Sequence, residues 1–215
     1  MTPFFSILQT AQSYKATLIA VSKNQEASAI QKLIDEGATD IAFNRVQEAE
    51  EKFPLLHGNL KKHLIGHLQK NKVNKAIALF DMIQSVDSLA LAQKIEKACQ
   101  QQKKEIPLLL QVNTAQDEEK FGFSEKELLE ALPQLSLLQC GKIQGLMMVG
   151  RHGISKEKTK EDFLRTQILF KKIQDQNIFL HFTELSMGMS EDYEIALCAG
   201  ATMIRVGRKL FSQEV

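Results

Sequence analysis

The sequence predicts an α/β protein folded as a single (β/α)8 TIM barrel with a short N-terminal helix. Short runs rich in apolar and β-branched residues alternate with amphipathic stretches along the whole chain. Several of these runs are almost wholly apolar, which is typical of parallel strands that are buried on both faces. The length of 215 residues, of which 44% are hydrophobic, is sufficient for one large core.

Eight strands are predicted, and they follow one another at intervals of roughly 20 to 40 residues. They lie at about residues 17–22, 39–43, 63–66, 82–86, 107–113, 142–149, 182–187 and 202–206. Eight strands that alternate with helices favour a closed parallel barrel. Periodicity alone does not exclude an open, doubly wound sheet.

Amphipathic stretches fill the gaps between the strands. Helices are predicted over 25–36 and 88–103 from the spacing of their apolar residues. Ser124 and Glu127 form a capping box that starts another helix. The longest polar segment, residues 150–162, is predicted to be an exposed loop that leads into a further helix.

Composition excludes several classes of function. The chain carries 27 Lys+Arg against 26 Asp+Glu, and a net charge of +1 gives no electrostatic basis for binding nucleic acid or an anionic membrane. No apolar run is long enough to span a bilayer, and the first residues lack the pattern of a secretory signal. Three widely spaced cysteines, Cys99, Cys140 and Cys198, fit thiols in a reducing compartment, so we expect a cytoplasmic protein.

The ends of the strands are the first place to look for a site, because the carboxyl ends of barrel strands meet at one mouth. The residues at the predicted ends are Lys23, Asn44, His67, Ser85, Asn113, Met148, Ser186 and Arg205. Most of them are polar, which indicates a binding site at that mouth.

Lys23 directly follows the apolar run TLIAVS. A partly desolvated lysine at the rim of a barrel is a candidate for imine formation with a carbonyl group. Taken alone, Lys23 is better explained as a snorkelling or loop lysine.

Two segments that contain glycine follow the seventh and eighth strands, SMGMS at 186–190 and RVG at 205–207. Many barrels bind phosphate between the loops at these places. Gly188 and Gly207 would let the backbone approach a ligand, and Ser190 is predicted to open a helix whose free N–H groups favour an anion. Ordinary loop and capping chemistry is the alternative.

Other polar residues are predicted to be structural. His63 and His67 flank the third strand without an accompanying cluster of carboxylates or thiols, so we expect no metal site. Glu48, Glu50 and Glu51 are predicted to form the solvated face of a helix.

Segments spread over nearly the whole chain carry a resemblance to a known family. They are LIAVSK (18–23), NRVQE (44–48), HLIGHLQKNK (63–72), QVNTAQDEEKFGF (111–123), GLMMV (145–149), ELSMGMSEDYEIALCAGATMIRVG (184–207) and LF (210–211). In this order they resemble the pyridoxal 5′-phosphate (PLP) homeostasis proteins, single-domain relatives of the N-terminal barrel of alanine racemases.

The resemblance implies a fold-type III barrel, with residues 1–215 as a single PLP-binding domain and the cofactor held as a Schiff base, an internal aldimine, on Lys23. It implies that the phosphate lies near Ser186 and the backbone around Gly207, and that Arg205 points at the pyridine nitrogen. The residues assigned to cofactor binding are Lys23, Asn44, Ser186, Met187, Gly188, Arg205, Gly207 and Arg208. The implied function is to buffer or deliver the cofactor in vitamin B6 homeostasis, with no catalytic residue.

The chemistry of Arg205 agrees with that implication. An arginine can only donate hydrogen bonds, so at the pyridine nitrogen it would leave that nitrogen unprotonated and the ring a poor electron sink. A racemase also needs a second acid/base group on the opposite face, which alanine racemase takes from a second domain and its partner subunit. We expect a monomer whose partners, besides the cofactor, are PLP-dependent apo-enzymes.

The sequence departs from the family at residues 42–45, where AFNR replaces a pattern that usually has glycine, glutamate and tyrosine around Asn44. Phe43 removes a carboxylate from the expected rim. Arg208 stands where Ser or Thr is common, and it either contacts the phosphate or points to solvent. Three other functions therefore stay open: a weak PLP-dependent racemase or transaminase, a Schiff-base aldolase of sugar phosphates, and an interaction module that has lost its ligand.

Overall fold

A closed parallel barrel forms the centre of the molecule. The computed structural model describes residues 2–115, 120–151 and 153–211. The strands within these ranges are β1 (Thr17–Val21), β2 (Asp40–Phe43), β3 (Lys61–Leu64), β4 (Met82–Val86), β5 (Ile106–Val112), β6 (Gly141–Met148), β7 (Glu184–Ser186) and β8 (Met203–Val206). Each strand pairs in parallel with the next, and β1 also pairs with β8. The barrel is confirmed, and the open sheet is excluded.

All eight predicted strands are present, and no boundary differs from its prediction by more than two residues. The third strand shows the largest shift, since it occupies 61–64 where the sequence predicts 63–66. Its first two residues are lysines that pair with β2 at the exposed base of the barrel, so the apolar pattern does not mark them as strand.

Helices surround the barrel. Those in the described ranges are α1 (Pro3–Ser13), α2 (Ala27–Asp35), α3 (Val46–Lys52), α4 (Val73–Leu79), α5 (Leu89–Gln102), α6 (Glu125–Leu135), α7 (Lys156–Gln174), α8 (Tyr193–Cys198) and α9 (Arg208–Phe211). The capping box of α6 is confirmed, with Ser124 and Glu127 bonded in both directions. None of these described helices is long and apolar enough to cross a membrane.

The predictions at the starts of two helices are wrong. Helix α7 begins at Lys156, inside the polar segment 150–162 that was predicted to be a loop, and the Ser155 hydroxyl caps it. Ser190 does not open α8, which begins at Tyr193. The carboxylate of Asp192 accepts a hydrogen bond from the Met189 amide at 2.6 Å, and this local turn keeps residues 189–192 out of the helix.

Two apolar layers pack on the two sides of the strands. The larger layer lies between the strands and the helices. The smaller layer fills the barrel and consists of Ile19, Ala42, Met82, Leu109, Met147 and Met203. Because strand side chains alternate between the two sides, neighbours such as Met147 and Met148 belong to different layers.

Glu96 is a buried carboxylate on α5 that organises the start of β6. Its oxygens accept hydrogen bonds from the backbone amides of Gln139, Cys140 and Gly141 at 3.2, 2.9 and 2.8 Å. Burial raises the pKa of Glu96, but these amide bonds outweigh it and hold the pKa below its ordinary value of 4.5.

We expect Glu96→Gln to lower the free energy of unfolding at pH 7 by about 1–3 kcal/mol, because an amide cannot accept all these bonds. A carboxylate with a lowered native pKa stabilises the fold above its unfolded-state pKa and loses that contribution as pH falls through the native value. Urea denaturation should therefore show the deficit shrinking below about pH 4.5. The control is Glu105→Gln, an exposed carboxylate 3.0 Å from Lys142. Equal deficits in both variants would contradict the assignment.

Candidate functional site

A cavity of about 320 Å³ opens at the carboxyl ends of the strands. Its wall includes Lys23 after β1, Asn44 after β2, and Arg205 with Gly207 at the end of β8. The volume lies at the lower end of the range for small-ligand sites, and the position is the one that barrel enzymes use. Of the eight residues predicted to end strands, Lys23, Asn44 and Arg205 therefore meet at one cavity.

The residues at the other predicted strand ends do not line this cavity. Ser85 donates a hydrogen bond to the Gly66 carbonyl at 2.7 Å, and Met148 packs in the outer apolar layer. His67 contacts Asp87 at 2.7 Å and stacks on Phe121. The last residue of a strand points inward or outward according to its register, so position at an end does not by itself bring a side chain to the mouth.

The turn that carries Lys23 is held by α3. Asn24 has a φ of 59°, in the left-handed region, and its amide donates to Glu48 Oε1 at 2.7 Å. Lys52 bonds to both Glu48 and the carbonyl of Gln25. The prediction of a solvated Glu48 is therefore wrong, because this carboxylate fixes the backbone next to Lys23. Only the tertiary contact between α3 and the turn reveals that role.

Lys23 itself is exposed at the rim of the cavity, and the sequence-based expectation of a partly desolvated side chain is wrong. Strand β1 ends at Val21. Ser22, which joins the strand to Lys23, is fully buried and donates its amide to the Ala42 carbonyl at 2.9 Å. The amine is therefore close to a rigid strand and accessible from solvent.

Asn44 presents an unsatisfied acceptor. Its Oδ1 is buried and has no hydrogen-bond partner within the described part of the chain. Gly66 packs against the same residue so closely that a Cβ at position 66 would lie 2.2 Å from the Asn44 carbonyl oxygen. A buried acceptor without a partner costs about 1–3 kcal/mol, which a ligand that donates a hydrogen bond would recover.

Arg205 is a buried cation on the cavity wall, with 3% of its surface exposed. Its guanidinium donates to Ser186 Oγ and to the Met148 carbonyl, both at 2.8 Å. Burial lowers the pKa of Arg205 to about 10, and Asp192 opposes part of that shift. Arg205 is still a cation at neutral pH, and it is held in a fixed position.

Further positive charge surrounds the cavity. Arg151, in the loop before α7, and Lys156, the first residue of that helix, both line it. Arg151 is held by a bidentate contact to the buried Asp162, at 2.9 and 3.0 Å. Neither cation was predicted to lie at the site, because the sequence of this segment is typical of a solvent-exposed loop.

Comparison with known proteins identifies the family. Residues 5–214 match the family model of the alanine racemase N-terminal domain. Pyridoxal phosphate homeostasis proteins of Helicobacter pylori and of Synechocystis are 38% and 40% identical, over 91% and 92% of this chain and 87% and 91% of theirs.

The chain belongs to the pyridoxal phosphate homeostasis protein family. PipY of Synechococcus elongatus, solved with PLP bound, has 39% identity and a TM-score of 0.90, over 97% of this chain and 100% of that one. An alanine racemase of Clostridium difficile is only 17% identical, with a TM-score of 0.78 over 57% of its chain, and it supports the shared fold alone.

Three residues that the family resemblance assigns to the cofactor do not line the cavity. Ser186 is fully buried between Gln84 and Arg205, and Met187 packs in the outer apolar layer. Gly188 has a φ of 90°, and a Cβ there would lie 2.5 Å from the Ala196 Cβ of α8. The glycine is therefore required for helix packing, while Ser190, two residues on, lies on the wall.

The two departures from the family pattern have different consequences. Phe43 is fully buried in the outer layer, where its ring meets Phe53 at 5.2 Å, so it does not face the rim. Arg208 lines the cavity, but its side chain is 74% exposed and contacts Glu191 at 2.7 Å.

The two candidate metal-binding histidines have other partners. His63 lies inside β3 and contacts Asp40 and Gln84, while His67 contacts Asp87. Among residues 2–115, 120–151 and 153–211, no group of three or more His, Cys, Asp or Glu could hold a metal ion.

We expect Gly188→Ala to destabilise the protein without cofactor by about 1–3 kcal/mol more than Gly153→Ala. Both glycines have positive φ, which alone costs an alanine about 1–2 kcal/mol. Only at Gly188 would the new methyl group collide with a helix, since nothing in the described part of the chain lies within 4 Å of a Cβ at Gly153. Urea denaturation of both variants measures the difference. Equal losses would mean that Gly188 is not required for packing against α8.

Proposed function

We propose that this protein binds PLP through the amine of Lys23 and holds it reversibly, so that it buffers or delivers the cofactor without catalysing a reaction of its own. The observation that carries this proposal is the shared cavity, where the accessible Lys23 and the buried Arg205 meet at the end of a barrel. The PLP-bound structure of PipY, 39% identical over nearly the whole chain, supports the choice of ligand.

The residues present fit the cofactor. Arg151, Lys156 and Arg208 on the wall suit a ligand with a phosphate group, and Asn44 Oδ1 is an acceptor that lacks a donor among the described residues. Gly207 has no side chain and so leaves space on the cavity wall. A Cβ at this position would lie 3.1 Å from the Val21 carbonyl oxygen. We assign the phosphate to the wall formed by Gly207 and the neighbouring Ser190 and Arg208.

When bound, PLP supplies an aldehyde that condenses reversibly with amines, and a ring that withdraws electrons best when its nitrogen is protonated. Arg205 has only donors to offer, and a pKa of about 10 keeps it charged at neutral pH. We assign it to the ring nitrogen, which it would hold unprotonated. In this assignment Ser186 and Gly188 do not contact the cofactor. Ser186 holds Arg205 by a hydrogen bond, and Gly188 allows α8 to pack closely.

The accessibility of Lys23 supports exchange rather than catalysis. The lysine is exposed, so an incoming amine can reach its site from solvent. PLP-dependent apo-enzymes are the recipients that we propose. The three cysteines are all free thiols, which is consistent with a cytoplasmic location for this exchange.

We expect Lys23→Ala to abolish covalent PLP binding with little loss of stability, because Lys23 is exposed at the rim. Added PLP should give the wild type a visible absorption band, and borohydride reduction followed by peptide mapping should locate the label on Lys23. The matched control is Lys156→Ala, which removes another lysine from the same cavity. Labelling that survives in Lys23→Ala and is lost in Lys156→Ala would contradict the proposal.

The racemase alternative is tested on the same proteins. Exchange of the α-proton of L-alanine into deuterated water, dependent on Lys23, would establish catalysis. We expect no such turnover, because Arg205 opposes protonation of the ring nitrogen.

A further inference from the structure

A file of hydrogen-bonded side chains runs through the barrel interior from the cavity to its opposite end. Arg205 Nη1 contacts Ser186 Oγ at 2.8 Å, and Ser186 Oγ contacts Gln84 Oε1 at 2.7 Å. Gln84 Nε2 then contacts His63 Nδ1 at 3.0 Å, and His63 Nε2 contacts Asp40 Oδ1 at 2.9 Å. Asp40 is the first residue of β2 and therefore lies at the base, far from the cavity.

The file is shielded from water along its length. His63, Gln84 and Ser186 are fully buried, and Arg205 is 3% exposed. The Asp40 side chain retains 13% exposure at the base. Burying these polar side chains costs free energy unless each of them is hydrogen-bonded, which requires that every donor along the file faces an acceptor.

The chemistry of the partners fixes the direction of every bond. Arginine can only donate, so Ser186 accepts from Arg205, and its buried hydroxyl hydrogen still needs an acceptor, which Gln84 Oε1 provides at 2.7 Å. The Gln84 amide then has its oxygen toward Ser186 and its NH2 toward His63, which makes Nδ1 the acceptor of the imidazole. His63 must therefore carry its proton on Nε2, where it donates to Asp40.

Asp40 suits this last position because it is an acceptor and an anion. Burial raises the pKa of Asp40, but the bonds from His63 and Thr39, with Lys61 nearby, lower it overall. A carboxylate at the base thus selects the His63 tautomer, and that tautomer sets the Gln84 amide and the Ser186 hydroxyl. Only with this amide orientation does the Ser186 hydroxyl hydrogen have an acceptor while its oxygen accepts from Arg205 alone.

We propose that Asp40, His63 and Gln84 are positioning residues for Arg205, acting from the base of the barrel on the orientation of the guanidinium at the cavity. The orientation is a property of the protein without ligand. Its consequence for PLP affinity rests on the proposed function, because it requires that Arg205 contact the cofactor.

Asp40→Ala is the decisive variant. Without the carboxylate, the His63 Nε2–H loses its acceptor, and the tautomer with the proton on Nδ1 becomes favoured. The Gln84 amide must then reverse and donate to Ser186, which places a second donor on the hydroxyl oxygen beside Arg205 and leaves the hydroxyl hydrogen without its acceptor. The control is Asp81→Ala, which removes an exposed carboxylate that accepts a bond from the Lys62 amide near the base of the same barrel.

The first readout uses the protein without cofactor. Nitrogen-15 NMR should show His63 protonated on Nε2 in the wild type and in Asp81→Ala, and on Nδ1 in Asp40→Ala. The Arg205 guanidinium resonances should be separate in the first two proteins and averaged by rotation in the third. An unchanged His63 tautomer or unchanged Arg205 resonances in Asp40→Ala would overturn the proposal.

The second readout is PLP affinity, which should fall about three- to tenfold in Asp40→Ala, as expected for the loss of one hydrogen bond. Gln84→Met keeps the volume and breaks the file at its centre, so adding Asp40→Ala to it should produce no further loss. Additive losses in the double variant would also overturn the proposal. If the wild type fails to bind PLP at Lys23, the proposed function fails, while the NMR result still decides whether the file positions Arg205.

Discussion

Pairing between β1 and β8 is the contact on which the site depends. Thr17 to Ala20 run in register with Met203 to Val206, and this joins the two ends of the sheet. Beyond the paired residues the backbones stay so close that a Cβ at Gly207 would lie only 3.1 Å from the Val21 carbonyl oxygen. Closure therefore brings Lys23 and Arg205, which are distant in the sequence, to the wall of one cavity.

The interior of the barrel supports one side of that cavity rigidly. Arg205 is desolvated, and a desolvated cation is tolerated only when its hydrogen-bond donors find partners. Ser186 and the Met148 carbonyl provide them. The polar file that continues to Asp40 passes beside the methionines and small apolar residues that fill the remaining space. The cost of burying polar groups is thus offset by bonds whose geometry leaves Arg205 one orientation.

The opposite side of the cavity is built differently. Lys23 lies just beyond β1 on a turn that α3 holds through Glu48 and Lys52. Its backbone is fixed, while its side chain is exposed. A fixed cation and an accessible amine at one cavity suit a protein that holds a reactive aldehyde and releases it to another amine. Under the proposed function, access for a second amine and restraint of the ring chemistry would come from separate parts of the fold.

Most of the fold follows from the sequence alone. Eight apolar runs separated by amphipathic stretches have only a few ways to bury their surfaces, and each run became a strand within two residues of its predicted limits. Lys23, Asn44 and Arg205 were predicted at strand ends, and they meet at the cavity. The capping box of Ser124 and Glu127, which acts within four residues of the chain, was also predicted correctly.

Only the tertiary structure decided which side of the wall each remaining residue occupies. Ser186 and Ser190 offer the same hydroxyl in the same motif, but strand register buries the first behind Arg205 while the turn through Asp192 leaves the second on the wall. The role of Glu48 likewise depends on a contact between α3 and the turn after β1. Sequence patterns report periodicity and local bonding, whereas register and packing between distant segments are fixed only when the barrel closes and the helices settle against it.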